Sequence, residues 1–402
     1  MRLFQNSKIV LVMLLCVLVP NMLNAGILWE KDLLYEANTN SSPLASCMNN
    51  NTNKIFVITK VGPKGSFLHK SGDCVLWEIG INGNTVRQTL LKDADKNAMK
   101  TEALVVGPGC AMAADRSGNL LTIGVLGERR KERSLSFIST ASTPEPSVTA
   151  HKRVEEFSIK ELIPLQDETF ASVGNRNGNG LYLRIDNKGN IIQKNLFDIG
   201  NNEIFSGVDR IKSENLSLAV VGLSVKISIK DPNENSAENF ILMCDSNGRF
   251  VNDDYFNGEI PSGILFPRVC CLDNGNIIVV YNKRSVKTKT QLWARCYTQE
   301  LKLLWEREIL STDRFLFSFD VASRDTTGFV VGMAQQECLE FYFLDQDGVK
   351  IEYVEQKGVP GGVFGVGLNL MCLNDRIIAV FEEGTAGNIN ECTIKAKVAA
   401  LD

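Results

Sequence analysis

Residues 27–34 read ILWEKDLL, and residues 303–310 read LLWEREIL. Each octet places a tryptophan after two aliphatic residues and then mixes charged with apolar side chains, a pattern that is typical of a half-buried β-strand. The second octet lies inside a series of repeated strand patterns, whereas the first stands by itself close to the N-terminus. The likeness of these two octets decides the fold, because it indicates that one repeat is assembled from both ends of the chain.

The repeat has a simple form: an apolar segment, a short polar turn and a β-branched run. Polar turn residues between Ile, Val and Phe runs are typical of β-hairpins. Seven stretches have this form, and they are CMNNNTNKIFVITK (47–60), CAMAADRSGNLLTIGV (110–125), LIPLQDETFASVG (162–174), DRIKSENLSLAVVG (209–222), VCCLDNGNIIVVYN (269–282), DVASRDTTGFVVG (320–332) and LMCLNDRIIAVFE (370–382). Their second strands are predicted to begin at Ile55, Leu120, Thr169, Leu216, Ile277, Gly328 and Ile377.

A second hairpin follows most of these stretches, as in LYLRIDNKGNIIQKNLF (181–197) and LEFYFLDQDGVKIEYV (339–354). In these hairpins an aspartate precedes a glycine by three residues, which predicts a turn that needs a positive φ angle. Four short strands every ~50 residues, without an amphipathic helix, are typical of propeller blades. We therefore predict an all-β, seven-bladed β-propeller with four antiparallel strands per blade. Blade two has the weakest signal, because residues 134–157 blur its second hairpin.

The seventh repeat ends at CTIKAKVAALD (392–402), before any outer strand has been supplied. ILWEKDLL matches the outer strand of blade five, so we predict that it completes blade seven by pairing around Ile394–Val398. A ring closed in this way removes an open sheet edge. Residues 26–402 are expected to form a single propeller domain.

Residues 1–25 have the features of a cleavable signal peptide. Arg2 and Lys8 precede the apolar run IVLVMLLCVLV (9–19), and Ala25 offers a small residue before Gly26, the predicted mature N-terminus. The alternative, an uncleaved membrane anchor, needs about 20 apolar residues, which this run lacks. We expect a secreted or periplasmic protein without a membrane span.

The blades resemble the repeats of secreted bacterial β-propellers, of the quinoprotein-like and WD40-like kind. The matching residues are Asp325-Thr-Thr-Gly-Phe329-Val-Val-Gly332, Arg184-Ile-Asp186-Asn-Lys-Gly189-Asn190, and Trp29 and Trp305 on outer strands. The resemblance covers nearly all of residues 26–402 and implies the fold, whereas such repeats carry no single function.

Ten cysteines remain after residue 25, an even number that could form disulfides in an exported protein. Several of them occupy equivalent positions in different blades, too far apart for a bridge. We favour buried free thiols that pack as small apolar residues. A vicinal disulfide at Cys270-Cys271, as in some quinone-dependent propeller enzymes, would need a distorted turn, whereas the pair lies in a predicted strand.

Candidate metal and catalytic motifs are weak. Asp345-Gln-Asp347-Gly348 resembles the start of a calcium loop, but Val349 and Lys350 follow, so a plain turn is favoured. With only two histidines, His69 and His151, a histidine-based metal cluster or catalytic relay is improbable. We expect no cofactor and no metal, and the tryptophans are interpreted as core residues.

The remaining functional signal is charge on the loops between second and third strands. The basic residues of these loops, which we predict to share one face, are Lys60, Lys64, Arg129, Arg130, Lys131, Lys283, Arg284, Lys287 and Lys289, whereas loop seven carries Glu382, Glu383 and Glu391. The net charge of −4 gives no general attraction to nucleic acid. We expect a monomeric, noncatalytic binding or scaffolding propeller for a protein or another acidic macromolecule. The alternative is a hydrolase or quinone-dependent oxidoreductase with its site at the central channel.

Overall fold

The computed structural model describes residues 27–36, 39–63, 72–92, 97–101, 110–124, 133–140, 146–154, 157–198, 201–211, 217–226, 236–257, 265–284, 290–324, 328–335, 338–358, 363–373, 376–384 and 394–401. Within these ranges the secondary structure consists of β-strands and turns. No helix in the described part of the chain has the length and apolar character needed to cross a membrane.

The strands follow one another in the order expected of successive hairpins. The first is β1 (Ile27–Leu33), and blade one contains β2 (Thr39–Asn49), β3 (Lys54–Pro63), β4 (Gly72–Gly80) and β5 (Thr85–Leu90), with the short β6 (Lys100–Thr101). Blade two contains β7 (Ala111–Ala114), β8 (Leu120–Ile123), β9 (Arg133–Ser139) and β10 (Ser147–Val154). Blade three contains β11 (Ser158–Pro164), β12 (Phe170–Arg176), β13 (Asn179–Ile185) and β14 (Ile191–Phe197).

Blade four contains β15 (Asn202–Arg210), β16 (Leu218–Lys226), β17 (Ser236–Cys244) and β18 (Phe250–Asn257). Blade five contains β19 (Arg268–Cys271), β20 (Ile277–Arg284), β21 (Thr290–Tyr297) and β22 (Leu303–Thr312). Blade six contains β23 (Leu316–Arg324), β24 (Gly328–Gln335), β25 (Cys338–Asp345) and β26 (Lys350–Lys357). Blade seven contains β27 (Val363–Leu373), β28 (Arg376–Gly384) and β29 (Ile394–Leu401), and β1 completes it.

Seven sheets therefore form a ring, each with four antiparallel strands in hairpin order, as the sequence predicted. The predicted starts of the second strands lie within two residues of the observed starts in every blade. The one unforeseen addition is β6, which pairs with β4 beyond the four-stranded path of blade one. We call the end of the ring with the turns between first and second strands the turn side, and the opposite end the loop side.

The shared blade is confirmed. β1 pairs antiparallel with β29, from Ile27 opposite Leu401 to Leu33 opposite Ala396. The pairing lies closer to the C-terminus than the expected stretch Ile394–Val398, because β29 runs on to Leu401. Ion pairs reinforce the closure, since Lys395 bonds Asp32 at 2.8 Å and Lys397 contacts both Glu30 and Glu383.

The core lies between the blades. Each of seven apolar clusters combines side chains from two neighbouring sheets, as in the cluster that joins Val57 and Trp77 of blade one to Val380 and Val398 of blade seven. A sheet packed in this way is buried on both faces, so its inner strands are apolar on both faces rather than alternating. Trp77 is buried, whereas Trp29, Trp293 and Trp305 are partly buried at cluster edges.

The Asp-x-x-Gly segments are turns, as predicted. Gly189, Gly248 and Gly348 have φ angles of 75°, 66° and 73°. The side chain of Asp345 accepts hydrogen bonds from the backbone N–H groups of Asp347 and Val349, at 3.0 and 2.8 Å. That carboxylate is therefore engaged in its own turn, which supports the plain-turn interpretation over a calcium loop.

None of the nine cysteines in the described ranges forms a disulfide. Most pack in the apolar clusters between blades, which agrees with the sequence interpretation. Cys270 and Cys271 are neighbours on β19 and enter different clusters, one on each side of the blade. Their side chains point apart, as strand geometry requires.

Candidate functional site: the central channel

The channel of the ring contains a cavity of about 630 Å³. First strands of all seven blades line it, and it reaches the turn side at blades one to three through Asn51, Arg116 and Glu168. The first strands form the channel wall because they are the inner edges of the sheets. A cavity of this size is within the range of small-molecule and peptide side-chain sites.

One position of the first strand is equivalent in all seven blades, because its residue pairs with the same position of the second strand. Its occupants, in blade order, are Ala45, Ala111, Glu161, Gly207, Arg268, Asp320 and Asn369. The position is small in blades one, two and four, and polar or charged in the others. We call these seven residues the channel tier.

Glu161 reaches across blade four toward blade five. Its Oε2 accepts a hydrogen bond from the backbone N–H of Val208 at 3.0 Å. The reach depends on Gly207, where an added Cβ would lie 3.3 Å from the same oxygen. The small residue in blade four therefore leaves the space that the carboxyl group of blade three occupies.

Arg268 and Asp320 continue the polar chain around the channel. The Arg268 Nε lies 3.7 Å from Asp320 Oδ1, and its Nη1 donates to the carbonyl oxygen of Ser206 at 2.8 Å. Asp320 Oδ2 accepts the backbone N–H of Leu370 at 2.7 Å. Acidic side chains thus tie neighbouring first strands together, a structural role that accounts for part of this cluster.

The environment shifts the pKa of both acids. Burial raises the pKa of Glu161 to about 8; the positive charge of Arg268 opposes this and the negative charge of Asp320 adds to it. Burial also raises the pKa of Asp320, with Arg268 again opposing. With a pKa near 8, Glu161 can hold its proton at neutral pH and act as a proton donor, while Arg268 lies within ion-pair distance of Asp320.

Two arginines, Arg210 and Arg116, line the channel at its turn-side mouth, together with the carboxylates of Asp115 and Glu168. Arg210 ends β15 at this mouth, and no hydrogen bond or ion pair engages its guanidinium within the described part of the chain. Lys160 also lines the cavity, with its ammonium 4.6 Å from the centre of the Phe266 ring. Over the whole cavity lining, with Glu161 protonated, four cations (Arg116, Lys160, Arg210, Arg268) face three carboxylates (Asp115, Glu168, Asp320), a net charge of +1.

The structure places three of the residues predicted for basic loops in β-strands. Lys60 lies inside β3 and is 2% exposed, so its assignment to a surface loop is wrong. Lys283 and Arg284 belong to the end of β20, and the Lys283 ammonium lies 4.5 Å from the centre of the Trp293 ring. Lys64, Arg129, Arg130, Lys131, Lys287 and Lys289 lie outside the described residues.

Two of the three glutamates predicted for loop seven also lie in a strand rather than in a loop. Glu382 lies in β28 and is buried, where its Oε2 accepts a hydrogen bond from the Ser42 hydroxyl at 2.6 Å. Glu383 joins the ion pairs of the ring closure. Glu391 lies outside the described residues. Glu382 therefore serves the junction between blades seven and one, and Glu383 serves the closure of blade seven itself.

A ring of seven four-stranded antiparallel sheets around a central channel defines the protein as a β-propeller. No protein-family model matches the chain, and no curated protein sequence matches it. Among solved structures, that of U3-55K is similar with a TM-score of 0.53 and 12% identity, over 92% of this chain and 98% of that one.

The structure of Drosophila Plexin A in complex with Semaphorin 1b is similar with a TM-score of 0.51 and 10% identity, over 94% of this chain and 87% of that one. At such low identities these similarities concern the fold alone. They agree with the propeller architecture and leave the function to be inferred from the site.

Proposed function

We propose that this protein is a noncatalytic binding propeller that receives an acidic group of a macromolecular partner at the turn-side mouth of its channel. The observation that carries the proposal is Arg210, a channel-lining guanidinium without a hydrogen-bonding or charged partner among the described residues. A guanidinium offers five donors and pairs with carboxylates in a fixed, often bidentate geometry.

The other cations of the cavity support the same ligand class. Arg116 is exposed at the end of a turn, whereas Lys160 lies deeper along the cavity wall. An acidic side chain entering from the turn side would meet Arg210 and Arg116 before reaching Lys160. Exposed cations contribute more to association rate and orientation than to affinity, so we expect weak, salt-sensitive binding.

The test compares two charge reversals. Arg210→Glu changes the turn-side mouth, and Arg130→Glu changes a basic residue that the sequence analysis identifies as part of a basic loop. Capture of polyglutamate-coated beads by each variant at low and high salt is the measurement. Loss of capture with Arg210→Glu alone supports the channel mouth, and loss with Arg130→Glu alone transfers the proposal to the loops. Unchanged capture in both variants contradicts binding of an acidic ligand at either position.

The second candidate function is a hydrolase with its site in the channel. Two observations favour it: the raised pKa of Glu161, which suits a general acid near neutral pH, and the proximity of a second carboxyl group in Asp320. The hydrogen bonds of both acids to neighbouring backbones favour a structural role instead. Chromogenic glycosides and esters, assayed against wild type and Glu161→Gln, separate these roles, because only activity lost in Glu161→Gln supports the enzyme.

We further propose that the protein is exported through the signal peptide at residues 1–25 and that residues 26–402 act as a monomer without a cofactor. The composition of the N-terminal segment and the resemblance to secreted bacterial propeller repeats support export. N-terminal sequencing of protein recovered outside the cytoplasm should begin at Gly26, and recovery of an intact N-terminus would contradict cleavage.

A further inference from the structure

The loop side of blade six contains a cluster of potential metal ligands that the channel does not involve. The thiol of Cys338 and the carboxylates of Glu340 and Glu355 each place a ligand atom within 4.8 Å of the others. Cys338 and Glu340 are two residues apart on β25, so they share one face of the sheet, and Glu355 of β26 is directly opposite Glu340. Two carboxylates in a directly opposed cross-strand pair repel each other and need a nearby cation.

Glu340 is already held in one orientation. It is 7% exposed, and it accepts hydrogen bonds from Gln335 Nε2 at 2.8 Å, from the Tyr353 hydroxyl at 3.2 Å and from the Tyr342 hydroxyl at 3.3 Å. Fixed outer partners of this kind orient the carboxylate ligands of metal sites.

The amide oxygen of Gln335 is an independent observation that points to a ligand at this cluster. This residue is 1% exposed, and its Oε1 has no hydrogen-bond partner within the described part of the chain. Its Nε2 is bonded to Glu340, so the amide group lies against the cluster. A buried amide oxygen without a partner is costly, and a cation bound beside Glu340 would satisfy it.

Cys338 differs from the other described cysteines in its surroundings. It belongs to none of the seven apolar clusters. Its Sγ accepts a hydrogen bond from Arg314 Nη1 at 3.2 Å. Arg314 also lies 3.9 Å from Glu340, and its side chain is 57% exposed. An exposed arginine can swing into solvent, which would free both the thiol and the carboxylate for another cation.

We propose that Cys338, Glu340, Glu355 and the Oε1 of Gln335 form a binding site for a thiophilic divalent cation, with Zn²⁺ as the best match. One sulfur and three oxygen ligands suit zinc, whereas calcium and magnesium prefer oxygen alone. Arg314 closes the site in the metal-free protein and competes with the metal. Binding converts the thiol of Cys338 to a thiolate and releases its proton to solvent, so affinity increases with pH.

The test uses the full chain and two probes, Zn²⁺ in calorimetry and Co²⁺ in absorption spectroscopy. We expect one metal ion per chain and a thiolate-to-cobalt charge-transfer band. Cys338→Ser should abolish the band and weaken Zn²⁺ binding by at least ~100-fold, and Glu355→Gln, which changes an exposed ligand, should weaken it by ~10-fold or more. Arg314→Ala should strengthen binding, because it removes the competing cation.

Cys244→Ser is the matched control, since it removes a buried thiol from the cluster between blades three and four, away from blade six. Its metal binding should equal that of wild type. Absence of a charge-transfer band in wild type, or equal Zn²⁺ affinity in wild type and Cys338→Ser, would overturn the proposal and leave Arg314 as the only cation of the cluster.

Discussion

The indole ring of Trp29 covers Gly83, which lies in the outer turn of the neighbouring blade. A Cβ atom on Gly83 would be 2.7 Å from Trp29 Cδ2, and the indole Nε1 donates a hydrogen bond to the carbonyl oxygen of Ile81 at 3.0 Å. Trp305 makes the same arrangement two junctions earlier, between blades five and six, against Gly348 and the carbonyl oxygen of Gln346 at 3.1 Å. The two octets ILWEKDLL and LLWEREIL are alike because each locks one blade onto the next.

The first prediction concerns this lock. Trp29→Ala should destabilise the protein by about 2–4 kcal/mol, because it removes a partly buried indole and leaves the Ile81 carbonyl without its donor. Trp305→Ala should cost a similar amount, since the contact is equivalent. The free energy of unfolding in urea is the measurement.

Val86→Ala provides the control for this pair. Val86 lies on the outer strand of blade one and is 50% exposed, so its truncation should change the unfolding free energy by less than about 0.5 kcal/mol. A Trp29→Ala protein as stable as Val86→Ala would show that the indole contact does not hold the ring closed.

The second prediction concerns the strand that carries Trp29. Deleting residues 26–36 should expose the edge of β29 and leave Lys395 and Lys397 without Asp32 and Glu30, so the truncated chain should aggregate or lose most of its stability. A synthetic peptide of residues 26–36 should restore the melting temperature when added in excess, whereas a scrambled peptide should not. A truncated chain that melts like the intact one contradicts closure by β1.

Much of the fold could be predicted from the sequence, because seven similar blades repeat the same turn and strand signals. Gly189, Gly248 and Gly348 could be assigned to turns for this reason. The channel tier could not be predicted in the same way, because its occupants differ from blade to blade and produce no period. The signal that the sequence does offer is an exception to the strand pattern. Glu161, Arg268 and Asp320 are charged residues in first strands that are otherwise largely apolar.

The basic loops show a second limit of sequence reasoning. Composition predicts a loop position for a lysine near a turn-like segment, such as Lys60, yet β3 runs on to Pro63 and Lys60 is buried. Strand ends depend on pairing with the next strand. Here Lys60 pairs with Cys74 of β4, and that pairing leaves no local signal in the sequence.

The third prediction concerns the thiols. The described cysteines should react slowly with Ellman's reagent in the native protein, because burial raises the pKa of thiols such as Cys47 and Cys244 and excludes the reagent. Cys110 and Cys372 are partly exposed and should react first. Full reaction should follow denaturation without reductant. Three or more disulfides in mass spectra of the unreduced protein would contradict this prediction.

The fourth prediction concerns pH and Glu161. Its folded-state pKa is about 8, above the ordinary value of 4.5, so the folded state holds the proton more tightly than the unfolded chain does. The contribution of protonated Glu161 to the free energy of unfolding is therefore fully present below pH 4.5, and it is lost as the pH rises from 4.5 toward 8. Glu161→Gln cannot ionise, yet its amide oxygen can still accept the Val208 N–H. The variant should gain more than about 1 kcal/mol relative to wild type between pH 5 and pH 8.

Urea unfolding at both pH values measures this difference, with Glu300→Gln as the control because Glu300 is an exposed carboxylate in a turn of blade five. Burial also raises the pKa of Glu382, to about 7, but that group is present in every variant and cancels in the comparison. Glu161→Gln and Glu300→Gln with the same pH dependence as wild type would show that Glu161 is ionised in the folded protein. Four carboxylates would then face four cations along the cavity wall, and the cavity lining would lose the net positive charge that favours capture of an acidic partner.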